Sequence, residues 1–137
     1  MNLSRLTGIA TICLAAGAFA LTSALPAAAS HGGGGGAGEV RASGHCSASS
    51  VWKLKAKPDN GRIELELEID TPRNGQAWAV GITDNTVRIF SGTRTTQAPS
   101  GSFEVELRAA NRAGADSFVG SARNTRTGQT CTARVRL

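Results

Sequence analysis

The sequence predicts an all-β fold: an immunoglobulin-like antiparallel β-sandwich of about seven or eight strands with one disulfide. Three observations lead to this. Apolar and polar residues alternate in short runs over most of the chain after Glu39. Connections rich in Gly, Asn, Pro, Ser or Thr separate these runs. No window has the three- and four-residue apolar spacing of an amphipathic helix. A small β-barrel is the alternative, because its strands alternate in the same way.

Residues 1–29 have the three parts of a secretory signal peptide. Arg5 gives the positive start, an apolar run follows from Leu6, and small residues up to Ala29 form a cleavage site. An uncleaved membrane anchor is the alternative, since the run is about long enough to span a bilayer. Its Gly, Ser and Thr content and its Ala-rich exit favour cleavage. The sequence therefore predicts a secreted, extracellular protein that meets a membrane only during export.

The exported chain is predicted to be a glycine-rich flexible leader, residues 30–38, followed by one folded domain, residues 39–137. Cleavage would remove Arg5 and lower the formal net charge from +5 to +4. It would also leave two cysteines, Cys46 and Cys131. An even number of cysteines in an exported chain predicts a disulfide. This bond would close a loop of about 85 residues and stabilise the fold by about 4 kcal/mol on the chain-entropy estimate.

The strongest local signal is a hairpin from Val51 to Asp70, in which apolar residues alternate with lysines on one strand and with carboxylates on the other. Two turns are compatible with it. A four-residue loop, 58–61, would place Lys55 opposite Glu64, and a loop of residues 60 and 61 alone would place Lys55 opposite Glu66. Either register puts the apolar side chains on one face and lysine-glutamate pairs on the other.

The other elements follow the same alternation. The predicted strands are 38–43, 50–57, 62–71, 76–83, 86–92, 102–110, 116–124 and 129–137. A turn at Asp84-Asn85 is expected to place Ile82 opposite Val87. This register leaves Phe90 as the one aromatic residue of the domain that faces outward.

Several segments together resemble the small secreted immunoglobulin-like proteins of high-GC Gram-positive bacteria. The resemblance rests on Cys46, 50–57, 61–64, 75–78, 91–103 and Cys131. It covers essentially the whole domain and implies export and a sandwich fold. The family is uncharacterised, so the resemblance implies no catalytic or binding residues.

The sequence predicts no enzyme and no cofactor. A hydrolase needs a nucleophile with a base, or a metal with an open position, and neither spacing occurs. The carboxylates of the row 64–70 are of the type used in glycoside hydrolysis, but opposite lysines they indicate a solvated charge ladder. An unrecognised hydrolase is a remote alternative. Another is metal binding by a leader that begins Ala29-Ser30-His31, where a terminal amine, amides and imidazole can bind copper or nickel. No metal site is predicted in the domain itself.

Arginines at turns are the main functional signal. If consecutive strands run up and down, the connections that hold His45, Arg73, Arg94 and Arg126 share one end of the sandwich with both cysteines. Those that hold Asp59, Asp84 and Arg112 then share the other end.

The prediction is therefore a non-catalytic binding module for an anionic envelope polymer or an acidic protein, through Arg73, Arg94, Arg126 and His45. No sequence-specific nucleic acid partner is expected. A structural or adhesive envelope module without a small ligand is the alternative, and the oligomeric state is left open.

Overall fold

The computed structural model describes residues 38–137, so the predicted signal peptide, the predicted metal-binding terminus and the leader up to Ala37 lie outside the described residues. Residues 38–137 form eight strands and no helix. The strands are β1 Val40–His45, β2 Val51–Asp59, β3 Arg62–Asp70, β4 Ala77–Asp84, β5 Val87–Thr95, β6 Ser102–Ala110, β7 Ser117–Asn124 and β8 Thr130–Arg136. The all-β prediction is confirmed. Accordingly, this part of the chain has no apolar helix of membrane-spanning length.

The strands form two antiparallel four-stranded sheets. Sheet A has the order β1-β2-β3-β6 and sheet B has the order β5-β4-β7-β8. Two separate sheets agree with the predicted sandwich, the first of the two alternatives. The immunoglobulin-like connectivity is not confirmed. In the immunoglobulin constant-type fold the second strand pairs with the fifth, whereas β2 pairs here with β1 and β3.

The core lies between the two sheets and consists of the inward row of each strand. Its largest fully buried side chains are Trp78, Phe118, Leu54, Ile63, Leu65, Leu67, Ile69 and Ile82. Gly120 on β7 allows the sheets to approach closely, because a Cβ there would lie 3.0 Å from Leu67 Cδ2 of sheet A. Tight packing of this kind makes each sheet a rigid support for the loops at its ends.

The β2–β3 hairpin has the shorter of the two predicted turns. Asn60 and Gly61 have φ angles of 49° and 74°, as expected for a two-residue turn of this composition. Lys55 therefore lies opposite Glu66, with which it forms an ion pair. The hydrogen bond to that glutamate raises the pKa of Lys55. The predicted lysine-glutamate ladder on the outer face is confirmed.

The β4–β5 hairpin differs from the prediction. The register shifts between Ile82 and Thr83, which is a β-bulge, and Ile82 lies opposite Phe90. The predicted pairing of Ile82 with Val87 is wrong, because Val87 lies opposite Asp84 and the bulge adds a residue to β5. Phe90 consequently shares the inward face of buried Ile82 and packs against the core.

The predicted disulfide between Cys46 and Cys131 is confirmed, with a Cα–Cα distance of 4.3 Å. Cys46 directly follows β1, and Cys131 lies in β8. Because β1 and β8 are edge strands of different sheets, the bond links sheet A to sheet B. It also holds the β1–β2 and β7–β8 connections close together.

Candidate functional site

Four connections lie together at one end of the sandwich, as the alternation of strands predicted. They are residues 46–50, 71–76, 96–101 and 125–129, and we call them the loop end. Backbone hydrogen bonds join them in pairs: Ser47 N–H donates to Thr130 O at 2.8 Å, and Gly75 N–H donates to Thr96 O at 2.8 Å. The loop end is therefore a continuous hydrogen-bonded surface.

A cavity of about 490 Å³ opens between three of these connections, and we call it the cup. It is lined by Ser47, Ala48, Ser49, Ser50, Pro72, Arg73, Gln76, Thr127, Gly128 and Gln129. Its volume is in the range of small-molecule sites. Hydroxyl and amide groups dominate the lining, Arg73 is its one charged residue, and no carboxylate lines it.

Arg73 is presented by a backbone that buried hydroxyls hold in place. Thr96 Oγ1 donates to Arg73 O at 2.7 Å and accepts the Gln76 N–H at 2.9 Å. Arg73 N–H in turn donates to Thr71 Oγ1 at 3.2 Å. Both threonines are almost fully buried. The guanidinium of Arg73, by contrast, takes part in none of the ion pairs formed within residues 38–137.

Three buried hydrogen-bond donors at or beside the loop end have no acceptor within the described residues. Ser50 Oγ donates to Gln129 Oε1 at 3.1 Å, which leaves the buried Gln129 Nε2 without a partner. Asn124 Oδ1 accepts the backbone N–H groups of Arg126 at 3.0 Å and Thr127 at 2.9 Å, and its Nδ2 is also unpartnered. The indole nitrogen of Trp78, opposite Asn124 on β4, is a third. Buried donors without partners cost free energy. Of these three, Gln129 lines the cup, whereas Trp78 and Asn124 are almost fully buried and do not line it.

One of the four predicted site residues lines the cup, and a second is next to a lining residue in the sequence. Arg73 lines the cup, and Arg126 precedes Thr127 of the cup on the β7–β8 turn. Arg94 is not in a loop, because β5 extends to Thr95. Its guanidinium lies 4.9 Å from the centre of the Phe90 ring, a cation–π contact. His45 is exposed at the end of β1 and does not line the cup.

Three turns have the sequence Arg-x-Gly, beginning at Arg73, Arg112 and Arg126, and the turn of Arg112 has a different role. Arg112 Nε donates to Asp84 Oδ2 at 3.0 Å, and the Asp84 side chain is 1% exposed. This pair lies at the opposite end of the sandwich and neutralises a buried carboxylate. Of the three such turns, those of Arg73 and Arg126 therefore keep their charge available.

The outer face of sheet A carries a carboxylate cluster that the sequence did not predict. Pairing of β3 with β6 places Glu66 opposite Glu106 and Glu68 opposite Glu104. Carboxylate oxygens of Glu66, Glu104 and Glu106 lie within 4.8 Å of one another. Burial, hydrogen bonding to Glu106 and the charge of Glu66 raise the pKa of Glu104 to about 7. Such oxygens suit a hard cation, but Glu66 is already paired with Lys55, and we assign no metal site here.

Sequence reasoning also missed the neutral half of the cup. Ser50 and Gln129 were predicted only as the first residues of the strands 50–57 and 129–137, although each lies within four positions of a cysteine. The predicted disulfide could therefore have been used to predict that Ser50 and Gln129 lie side by side. Gln76 gave no comparable signal, because its position depends on Thr96 of another connection.

Replacing Thr96 by valine should lower the free energy of unfolding by about 1–3 kcal/mol. Valine has nearly the same shape as threonine, but it leaves Arg73 O and Gln76 N–H without their hydrogen-bond partner. The matched control is Thr95→Val at the exposed neighbouring position, which should change it by less than about 0.5 kcal/mol. Chemical denaturation measures both. Equal effects would mean that the hydroxyl of Thr96 does not hold the Arg73 loop.

Glu104 should make the fold less stable as the pH rises. Its pKa is about 7 when folded against an ordinary value of 4.5, so between these values the folded chain binds more protons than the unfolded chain. Stability contributed by this group must therefore fall across that pH window. In Glu104→Gln the decline should be smaller, whereas Glu64→Gln, opposite Arg108, should retain it. Melting temperatures from pH 4.5 to 7.5 test this, and an unchanged slope in Glu104→Gln would contradict it.

Comparison of the chain with family models, with curated proteins and with solved structures found no match. The resemblance to small secreted immunoglobulin-like proteins stays a prediction. The case for a function therefore rests on the loop end and on the charges of the two outer faces.

Proposed function

We propose that the protein is an exported, non-catalytic binding module that engages an anionic partner at the loop end, with Arg73 and Arg126 supplying the charge. One observation carries the proposal. The cup combines an arginine without an ion-pair partner, on a backbone held by buried threonines, with the unpartnered amide nitrogen of Gln129 and no carboxylate in its lining. A group rich in acceptor oxygens is the natural complement of such a site.

The guanidinium group favours particular anions. Its planar fork of N–H donors pairs with two oxygens of a phosphate or a carboxylate at once. Hydroxyls of Ser47, Ser49 and Thr127 line the same cavity and can bond either the anion or neighbouring hydroxyl groups of a larger ligand. The cup thus suits an anionic group carried by an envelope polymer or by an acidic protein.

The composition of the cup supports binding and not catalysis. Its lining consists of serine, alanine, proline, arginine, glutamine, threonine and glycine. None of these side chains serves as a general base near neutral pH, which a serine or threonine nucleophile requires. Export remains part of the proposal, and the disulfide is compatible with an oxidising compartment outside the cytoplasm.

A structural or adhesive module is the second candidate, and one feature favours it. The edge strands β1 and β8 leave a groove of about 360 Å³ between them, floored by Val40, Ala42 and Val135. Unpaired edges can add a strand from another chain. Arg134 and Arg136 border this groove, and charged residues at an edge discourage such pairing. Anion binding at the loop end therefore ranks first.

The double variant Arg73→Ser, Arg126→Ser should elute from a phosphocellulose column at clearly lower salt than the wild-type exported protein, because it lacks the unpaired charge of Arg73 in the cup and that of Arg126, next to Thr127 of the cup. Lys57→Ser, Arg62→Ser is the matched control, since it removes the same charge from exposed positions on sheet A. Arg94→Ser should also elute near the wild type. If the control and the cup variant elute together, retention reflects net charge alone and the proposed site is wrong.

A further inference from the structure

The outer face of sheet B is cationic and free of acidic side chains. Its strands point Arg88, Arg123, Arg134 and Arg136 away from the core, among alanine, glycine, serine and threonine. No aspartate or glutamate occupies an outward position of these strands. None of the four arginines takes part in an ion pair within the described residues 38–137.

The strand register places Arg88 and Arg134 on the two edge strands of this face, and Arg88 borders a shallow trough. Arg88 lies opposite Thr83, and Arg134 lies opposite Val119. Because Thr83 and Val119 also pair, Arg88, Thr83, Val119 and Arg134 form one row across the four strands. The two arginines lie at the ends of this row, with their backbones about 14 Å apart at ordinary strand spacing.

The neighbouring rows of the face contain only small side chains at their centre. The trough there has a volume of about 340 Å³ and is lined by Ala79, Gly81, Arg88, Ser91, Thr93 and Ser121, among others. A Cβ on Gly81 would lie 3.5 Å from Arg88 Nη1, so this guanidinium extends over the floor of the trough. The small floor leaves room for a ligand chain to approach the sheet between the charges.

Arg123 connects this face with the cup. Its Nη2 lies 3.6 Å from the position that a Cβ of Gly128 would occupy, and Gly128 lines the cup. Positive charge therefore continues from Arg73 and Arg126 at the loop end, through Arg123, to the trough.

The opposite outer face mixes both signs. Sheet A presents the carboxylates of residues 64, 66, 68 and 70 on β3 and of Glu104 and Glu106 on β6. The same face presents cations from all four strands, namely Arg41, Lys53, Lys55, Lys57, Arg62 and Arg108, and several of these form ion pairs. Sheet B is therefore the outer face whose arginines have no acidic neighbours, which offers an extended anion one cationic track.

We propose that the partner is a linear polymer with repeated phosphate groups, which binds in the cup and continues past Arg123 into the trough on sheet B. Binding in the cup rests on the proposed function. The inference adds the class of ligand and a second contact surface on sheet B. Phosphate suits this track because each group offers several acceptor oxygens to guanidinium and hydroxyl donors. Separate contacts by one chain also raise affinity through effective concentration.

Calorimetry of the exported protein with orthophosphate, tripolyphosphate and long-chain polyphosphate at constant ionic strength tests this. Affinity for the wild type should rise at least about ten-fold from the shortest to the longest ligand. Arg88→Ser, Arg134→Ser, far from the cup, should lose that gain and keep orthophosphate binding. Arg73→Ser, Arg126→Ser should lose orthophosphate binding. Lys57→Ser, Arg62→Ser should bind all ligands like the wild type. Circular dichroism verifies that each exposed substitution leaves the fold intact.

The outcomes separate the two proposals. If the trough variant binds long polyphosphate like the wild type, the second surface is wrong while the cup stands. If the cup variant keeps orthophosphate binding, the proposed function fails, and loss of the length dependence in the trough variant still supports the surface. If the control Lys57→Ser, Arg62→Ser loses as much affinity for long polyphosphate as the trough variant, the effect reflects net charge alone and the inference is wrong. If polyglutamate binds as tightly as polyphosphate, the choice of phosphate is wrong. If the protein does not bind polyphosphate but self-associates in sedimentation, and the trough variant does not, a second copy of the chain occupies the trough.

Discussion

The register of β2 against β3, set by the two-residue turn Asn60-Gly61, is the constraint on which the rest of the structure depends. Successive strand side chains face opposite sides, so a slip of one residue would turn Leu54 and Leu65 out to solvent. Both turn residues adopt positive φ angles, which this pair tolerates with little strain. Because β6 adds to β3, the same register also decides which charges meet on the outer face of sheet A.

The two outer faces of the sandwich carry different patterns of charge. On sheet A, carboxylates alternate with lysines and arginines, and several of these charges form ion pairs. On sheet B, arginines stand among small neutral side chains. The disulfide links the edges β1 and β8 near the loop end, and buried threonines hold the Arg73 loop. A rigid sandwich thereby carries its unused donors and unpaired positive charges to one end and one face, where loops usually bind.

Features that depend on local pattern were predictable from the sequence, and features that depend on distant pairing were not. The strands and the shared end of the Arg73 and Arg126 turns follow from alternation and short turns. The disulfide is the exception among distant pairs, because an even number of cysteines predicted it. Arg94 was misplaced because a β-bulge lengthens β5 and turns this residue onto the inner face beside Phe90. The contact of Glu66 with Glu106 required the pairing of β3 with β6, for which the sequence between these strands offers no local signal.

An NMR titration of the isotope-labelled protein with orthophosphate tests the binding site at the loop end most directly. The backbone signals of Arg73 and of residues 47–50, together with the side-chain amide of Gln129, should shift in a saturable manner. If these signals stay in place, or if shifts are spread evenly over sheets A and B, the loop end is not an anion site.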